Sequence, residues 1–510
     1  MEYDVCGHDE LTDGGMRAVE AGGQKILLAH LEGRYHAVGA ICPHAGAPLI
    51  EGVLSSGVVT CPWHKAAFCV GTGKRTEPPA VDDLPCFAVR VADGRVLVTV
   101  PAEPNAEHAT IDASDARCIV IIGAGAAGAL AAQTLRSEGF AGRVVMIGLE
   151  DRLPYDRTVL SKYALSGKKG GEKTPLQSEA FYARHGIERL TRKVASLDHE
   201  TRTVIFDDGS RLAYDVALLA TGGTPRPFDV PGHTLKGVHL LRTAADAEAI
   251  VASAGCGRRV VLVGAGFVGL EAAASLRERG LEVAIVAPQH APLEDRLGAE
   301  IGNVFRRVHE REGIVFHLGE EVEALEGEGG RVSRVRLKSG VVLEADLVVA
   351  GLGITPATAL FQGDRREDGG LTVDACLKVT DGLYAAGDIA AFPLYGDGPR
   401  IRVEHWRVAE QHGRIAALNM LGQTTYYDAI PVFWTISFLK RLDYVGHAAD
   451  WNDVIVNGDL EKPEFLAFYV EGGQVTAVAG WGRDQQMAKA ITLMTRRHDW
   501  STDELRQALQ

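Results

Sequence analysis

Residues 118–128 read Cys-Ile-Val-Ile-Ile-Gly-Ala-Gly-Ala-Ala-Gly, and residues 260–269 read Val-Val-Leu-Val-Gly-Ala-Gly-Phe-Val-Gly. Each stretch is a short apolar run, a Gly-rich turn and the start of an Ala-rich helical segment. A second β run follows each, at 143–147 and 283–286. In such a βαβ unit the first glycine makes the tight turn, the second lets a pyrophosphate approach the backbone, and the third packs the helix on the strand. The phosphate then faces the N-terminus of a helix. One such turn alone is weak evidence, but two in the same strand–turn–helix setting predict two doubly wound dinucleotide-binding domains.

The expected phosphate contacts are Gly123, Gly125 and Gly128 in the first unit and Gly264, Gly266 and Gly269 in the second. Glu150, just past the second strand of the first unit, is placed to bind a ribose hydroxyl. The corresponding position in the second unit is Ala287, followed by Pro288, Gln289 and His290. No arginine cluster replaces the missing acid, Arg296 being the nearest, so the choice between NADH and NADPH stays open.

Outward from these units the chain changes character. Short β runs at 25–30, 35–38, 58–60, 87–91 and 95–100 are punctuated by Gly, Pro and Asp, with a hairpin turn expected at 92–95. Residues 1–102 therefore read as a small all-β domain and the polar stretch 103–116 as a linker. Within the β domain, Cys42-Pro-His44 and Cys61-Pro-Trp-His64 offer two thiolates and two imidazoles. Two cysteines on one iron and two histidines on the other is the ligand set of a Rieske [2Fe–2S] cluster. A structural Cys₂His₂ zinc site is the alternative, but the usual His-x₃₋₅-His ending is absent. Cys6, Cys69 and Cys86 are left over and read as spare buried thiols.

The runs CPHAGAPL, CPWHKAAF and TGKRTEPPA resemble Rieske ferredoxins of bacterial oxygenase systems and the small-subunit type of nitrite reductases. Lys65 stands where that family usually has glycine. Ala47 and Trp63 occupy the positions of the bracing disulfide in high-potential respiratory members, so the resemblance implies the low-potential class. Farther on, Leu153-Pro-Tyr-Asp-Arg-Thr-Val-Leu-Ser-Lys162, Ala220-Thr-Gly222, Gly351-Leu-Gly-Ile-Thr-Pro356 and Tyr384-Ala-Ala-Gly-Asp388 resemble the FAD-dependent pyridine nucleotide oxidoreductases. The nearest branch holds the apoptosis-inducing-factor-like proteins and the oxygenase-type ferredoxin reductases.

That resemblance implies FAD, a [2Fe–2S] cluster and NADH or NADPH as cofactors. It places Arg157 and Lys162 at the flavin and its pyrophosphate, Asp388 at the ribityl chain, and Val194, Thr221, Gly222, Gly353 and Gly387 along the flavin nucleotide. Phe267 and Glu271 would border the nicotinamide, with Glu404, His405, Trp406 and Trp434 near the two rings. Lys162 and Glu271 are the expected catalytic pair, Lys162 stabilising negative charge on reduced flavin. No Cys-x₂₋₄-Cys occurs in the flavin part, where Cys118, Cys256 and Cys376 are isolated, which excludes a redox-active disulfide.

The fold class is thus multidomain: an all-β Rieske domain, two α/β doubly wound dinucleotide-binding domains and a small α+β C-terminal domain. The expected boundaries are 1–102 for the cluster domain, 117–240 with 366–425 for FAD, 241–365 for NAD(P)H and 426–510 for the last. The leading functional reading sends electrons from NAD(P)H through FAD to the cluster and on to an oxygenase, a cytochrome or another soluble redox protein. An NADH-sensing interaction protein with slow turnover is the second reading, and a cluster domain kept only for docking the third. A chain of 510 residues with net charge −14 and no basic block argues against nucleic acid. No transmembrane span or secretory signal is read, and eight cysteines, five of them in the first 86 residues, make no disulfide framework and suit the cytoplasm. Whether the protein forms a homodimer is left open. The 59 glycines exceed the usual ~7%, and those with a readable role lie where backbone must approach a cofactor.

Overall fold

The computed structural model describes residues 1–101, 114–167, 175–255 and 257–510. Most of the expected linker, and Cys256, lie outside these residues. The N-terminal part holds an antiparallel six-stranded sheet in the order Glu2–Gly7, Arg95–Thr99, Cys86–Ala92, Arg34–Gly39, Gln24–Leu31, Met16–Ala21. A four-stranded sheet, Val53–Ser55, Val58–Thr60, Ala67–Cys69 and Arg75–Glu77, completes it. Side chains alternate along Gln24–Leu31 as a strand requires. Ile26 and Leu28 enter a core with Cys6 and Val96, while Leu27 and Ala29 enter one with Cys42, Leu49, Cys61 and Phe68. The expected hairpin closes at Asp93 and Gly94, both left-handed (φ 50° and 73°), as a type I′ turn demands. Only one of the three spare thiols is buried: Cys6 is enclosed, Cys69 half-buried and Cys86 exposed. Cys86 lies at the start of a strand rather than inside the core, which corrects the sequence reading.

The first Gly-rich turn leaves the central strand of a parallel sheet. Cys118–Ile122 lies between Arg143–Gly148, with Ile187–Thr191 beyond it, and Val216–Leu219, with Leu383–Ala385 beyond that. Lys378–Thr380 closes the edge antiparallel. This sheet therefore draws strands from both sides of the second unit. Its helix Ala126–Ser137 packs against Trp406–Met420 so closely that a Cβ on Gly413 would meet the Ala127 carbonyl at 2.1 Å.

The second unit forms an all-parallel sheet in the order Val238–Leu240, Leu347–Ala350, Arg259–Val263, Glu282–Ala287, Val315–Leu318. Val238–Leu240 thus pairs in the second sheet, just ahead of the boundary expected after 240. The last part is an antiparallel five-stranded sheet, Val432–Ser437, Lys440–Gly446, Gln474–Trp481, Glu464–Glu471 and Asp453–Asp459, with the helix Asp484–Arg496. One face, with Leu442, Phe465 and Trp481, packs on Ile285 and Phe305 of the second unit. The other, with Val445, Phe468 and Val478, packs on Met487 and Met494 of the helix. Among the described residues no helix is long and apolar enough to cross a membrane.

Candidate functional site

The two Cys–His loops close in the same way. The Cys42 N–H donates to Ala47 O (2.9 Å) and the Cys61 N–H to Ala66 O (2.8 Å). The first loop turns at Gly46, whose φ of 80° suits glycine. This folding buries both thiols (2% and 1% exposed) and brings them into hydrogen-bond contact. Backbone N–H groups of His44 and Ala45 point at one sulfur and those of Trp63 and His64 at the other. The Cys42 hydrogen bond and these amides pull Cys61 toward thiolate, while the same thiol–thiol contact pushes Cys42 up.

The Nδ1 atoms of His44 and His64 lie 3.1 Å apart, their rings nearly perpendicular. Two nitrogens at that separation can share one metal ion at about 2.0–2.1 Å each. Burial lowers both imidazoles, keeping them in the neutral, ligating form. Among the described residues no three His, Cys, Asp or Glu groups gather as ligands of one ion. The donors come instead as a sulfur pair and a nitrogen pair, which fits a two-iron cluster.

Lys65, next in chain, has a left-handed backbone (φ 63°) that costs a non-glycine residue roughly 1–2 kcal/mol. Its side chain is wholly buried against Asp443. On the same side, the His64 ring lies 5.0 Å from the Trp434 ring.

The two glycine turns share one design. A Cβ on Gly123 would strike Ala220 O at 2.0 Å, and one on Gly128 would strike Gly123 O at 1.8 Å. Gly264 and Gly269 are as tightly confined, by Gly351 O at 2.5 Å and Gly264 O at 2.2 Å. The middle residues Gly125 and Gly266 face open space within 4 Å. That is where a pyrophosphate would lie, above the helices Ala126–Ser137 and Phe267–Glu278.

Gly123 and Gly125 open onto a cleft of about 1520 Å³, well above the roughly 300–1,000 Å³ of an ordinary small-ligand site. Glu150, Arg157, Val194, Thr221, Gly222, Gly353, Gly387, Asp388, Glu404 and Trp406 line it too. Glu150 accepts hydrogen bonds from Tyr155 Oη (2.7 Å) and Arg157 (2.5 Å). Arg242, which nothing in its local sequence marks, ties the far wall: it donates to Asp388 (3.1 Å) and its carbonyl receives Arg157 (3.1 Å). The cleft's size, the open glycine and the ribose-height acid fit FAD.

Lys162 and Glu271 are not among the residues lining this cleft; they meet each other, Nζ to Oε2, at 2.8 Å. Lys162 sits on the π-helical turn Leu160–Ala164 and Glu271 on the helix Phe267–Glu278. Glu271 also accepts from Ser161 Oγ (2.5 Å) and Thr435 Oγ1 (2.7 Å), neither of which the sequence singled out. Beside the pair, His405 stacks on Phe433 (4.2 Å, 12°), and Phe433 meets Phe267 edge-on at 4.9 Å. Phe267, Glu271 and His405 are thus brought together, whereas Trp434 faces the cluster loop.

Burial holds His405 and His412 neutral, each pulled down to about 3. His412 accepts the Gly387 N–H at Nδ1 (3.2 Å), leaving Nε2 protonated and without a partner among the described residues. In the unfolded chain both take up protons as pH falls through about 6.5. Stability held by the neutral forms is therefore complete above that value and is lost as pH falls toward 3, at about 1.4 kcal/mol per pH unit for each ring. Urea unfolding between pH 7 and pH 4.5 should show this slope, and His412→Leu should remove one ring's share. An unchanged slope in the variant would assign the acid sensitivity elsewhere.

The pyridine nucleotide-disulphide oxidoreductase model matches residues 117–413, the Rieske [2Fe–2S] domain model residues 1–88 and the reductase C-terminal model residues 432–509. Human apoptosis-inducing factor 3 is 38% identical over 97% of this chain and 84% of its own length. Rhodocoxin reductase of Rhodococcus erythropolis is 34% identical over 73% of this chain and 88% of its own. Among solved structures, a ferredoxin reductase from Rhodopseudomonas palustris superposes with TM-score 0.72 at 30% identity, covering 77% of this chain and 97% of that one. The putidaredoxin reductase–putidaredoxin complex gives TM-score 0.72 at 29% identity, over 76% and 95%. These matches carry FAD, NAD(P)H and a [2Fe–2S] cluster as the cofactor set and displace the zinc alternative. The chain belongs to the pyridine nucleotide-disulphide oxidoreductase family, with a Rieske [2Fe–2S] domain ahead of its reductase core.

Proposed function

We propose that this protein is an NAD(P)H-dependent electron-transfer enzyme that takes electron pairs from a reduced nicotinamide and passes them singly to a separate protein acceptor. Each NAD(P)H yields NAD(P)⁺, one proton and two electrons; FAD held in the cleft would supply the splitting of that pair into single electrons, which suits a one-electron cluster held by the two Cys–His loops. The chain's own part is to hold the donor and acceptor sites together. One observation carries the reading: the strand Val432–Ser437 touches both sites on its alternate faces. Phe433 stacks on His405 and Thr435 bonds Glu271, while Trp434 between them meets His64.

Lys162 and Glu271 form the catalytic pair in this reading, with Glu271 holding the ammonium in place. Cys42, His44, Cys61 and His64 hold the cluster. Pro43, Ala45 and Gly46 of the first loop are exposed and give an acceptor its approach. The names of relatives such as rhodocoxin reductase and the anthranilate 1,2-dioxygenase system ferredoxin–NAD(+) reductase component point to a small redox protein of an oxygenase system as that acceptor. A basic partner surface suits the net charge of −14. The cytoplasm is the proposed compartment, supported by described cysteines that form no disulfide with one another.

Anaerobic NADH titration, read by flavin absorbance and cluster EPR together, tests the proposal. Flavin bleaching followed by a reduced-cluster signal is expected. Bleaching with no cluster signal overturns intramolecular transfer, and a long-lived bleached state with a change in mass would favour the NADH-sensing reading. The Ala287 position makes a separate prediction. A glutamate there restores a charged partner for the ribose hydroxyls, a bond of about 1.5–3 kcal/mol, and repels a 2′-phosphate. Ala287→Glu should raise the NADH over NADPH ratio of kcat/KM by about 10- to 100-fold.

A further inference from the structure

We propose that Lys65 is a positioning residue whose buried ion pair with Asp443 locks the cluster domain onto the C-terminal sheet, fixing the His64 loop against Trp434. The inference rests on the electron path proposed above and names what holds that path in register. Three observations support it.

First, Lys65 occupies a left-handed position that glycine fills without strain, so the side chain is kept there against a backbone cost. Second, its ammonium lies 3.0 Å from Asp443 Oδ2, and the two side chains are 0% and 2% exposed. A buried ion pair adds little net stability over an apolar replacement, but breaking it strands a charge, and its best-attested use is to fix register. Third, both sides of the interface converge on the carbonyls of this one loop. Pro62 O receives Lys65 Nζ from within the loop and Arg441 (3.3 Å) from the C-terminal sheet. Lys65 O receives Arg407 (3.3 Å) from the helix Trp406–Met420. Arg441 is itself held by Asp484 (2.5 Å). Its Nε also forms an ion pair with Asp443 Oδ1 at 3.2 Å, so Asp443 draws the ligand-loop lysine and the sheet's own arginine to one buried carboxylate.

The experiment uses the full-length holoprotein and the variants Asp443→Asn and Lys65→Gly, the first leaving the ligand loop untouched. Small-angle scattering and amide exchange at 61–66 report docking; freeze-quench EPR after anaerobic NADH mixing reports flavin-to-cluster transfer. Both variants should bleach the flavin at the wild-type rate. They should exchange the 61–66 amides faster, scatter as a more extended particle, and slow transfer to the cluster by about tenfold or more. Iron and acid-labile sulfide content, measured alongside, separates slow transfer from cluster loss. Exchange, scattering and transfer all at wild-type values in both variants would overturn the lock. If the wild type itself never reduces its cluster, the proposed electron path fails, while exchange and scattering still decide the lock.

Discussion

Glu271→Ala should lower the unfolding free energy by about 3–5 kcal/mol, the cost of breaking a buried pair from one side. The Glu271 carboxylate, 6% exposed, is the meeting point of the Lys162 ammonium and the Ser161 and Thr435 hydroxyls. Its removal leaves a 12%-exposed cation and two hydroxyls facing a cavity. Two of those donors sit side by side on the π-helical turn Leu160–Ala164 and the third on the strand Val432–Ser437, so the loss also frees the turn that carries Lys162. Flavin reduction by NADH should slow by about 100-fold, since misplacing a reacting group by about 1 Å costs that much. Glu271→Gln keeps an acceptor for one hydroxyl but removes the charge, and should fall between the two. Denaturant unfolding and anaerobic stopped-flow bleaching check the two effects separately. A variant that loses stability but bleaches at the wild-type rate would reduce the pair to a structural role.

The features legible in the sequence are those whose backbone demands fall on a few neighbouring residues. Gly123 and Gly128 are forced by carbonyls within the same strand–turn–helix unit or one strand away, and the Cys–His loops close on themselves. The π-turn lysine and the helix glutamate were also readable, each from its own motif. That they touch depends on packing between distant segments, as does the Ser161 hydroxyl bonded to Glu271 across 110 positions of chain.

Trp434 shows the limit most clearly. Sequence reasoning put it near the two rings with Glu404, His405 and Trp406, and in a strand successive side chains face opposite ways. The sheet turns Phe433 and Thr435 toward Glu271 and His405, and Trp434 toward His64. Lys65 was visible as a departure from glycine. Its reason, Asp443, lies in another domain, and no local pattern announces a pair joined only by tertiary structure.

Cys61→Ser is expected to cost the protein its cluster while sparing the flavin half. A serine hydroxyl is a harder, far less acidic donor than a thiolate and does not replace it on iron. In this loop the hydroxyl can still accept the Trp63 and His64 N–H groups that now face the sulfur, so the apo fold should persist. Val59, Phe68 and Leu49, all fully buried around the loop, are untouched by the change. Iron and labile sulfide should therefore fall to background with little change in far-ultraviolet circular dichroism. NADH should still bleach the flavin at the wild-type rate, because Cys61 reaches neither the cleft nor the Lys162–Glu271 pair. Reduction of a small direct oxidant such as ferricyanide should survive, and reduction of a protein acceptor should drop by roughly 100-fold or more, a barrier increase of about 2.7 kcal/mol. If the iron content is unchanged, Cys61 is not a ligand. Should the iron vanish while the protein acceptor is still reduced at the wild-type rate, electrons leave the flavin directly, and the contact between Trp434 and His64 is packing rather than a path.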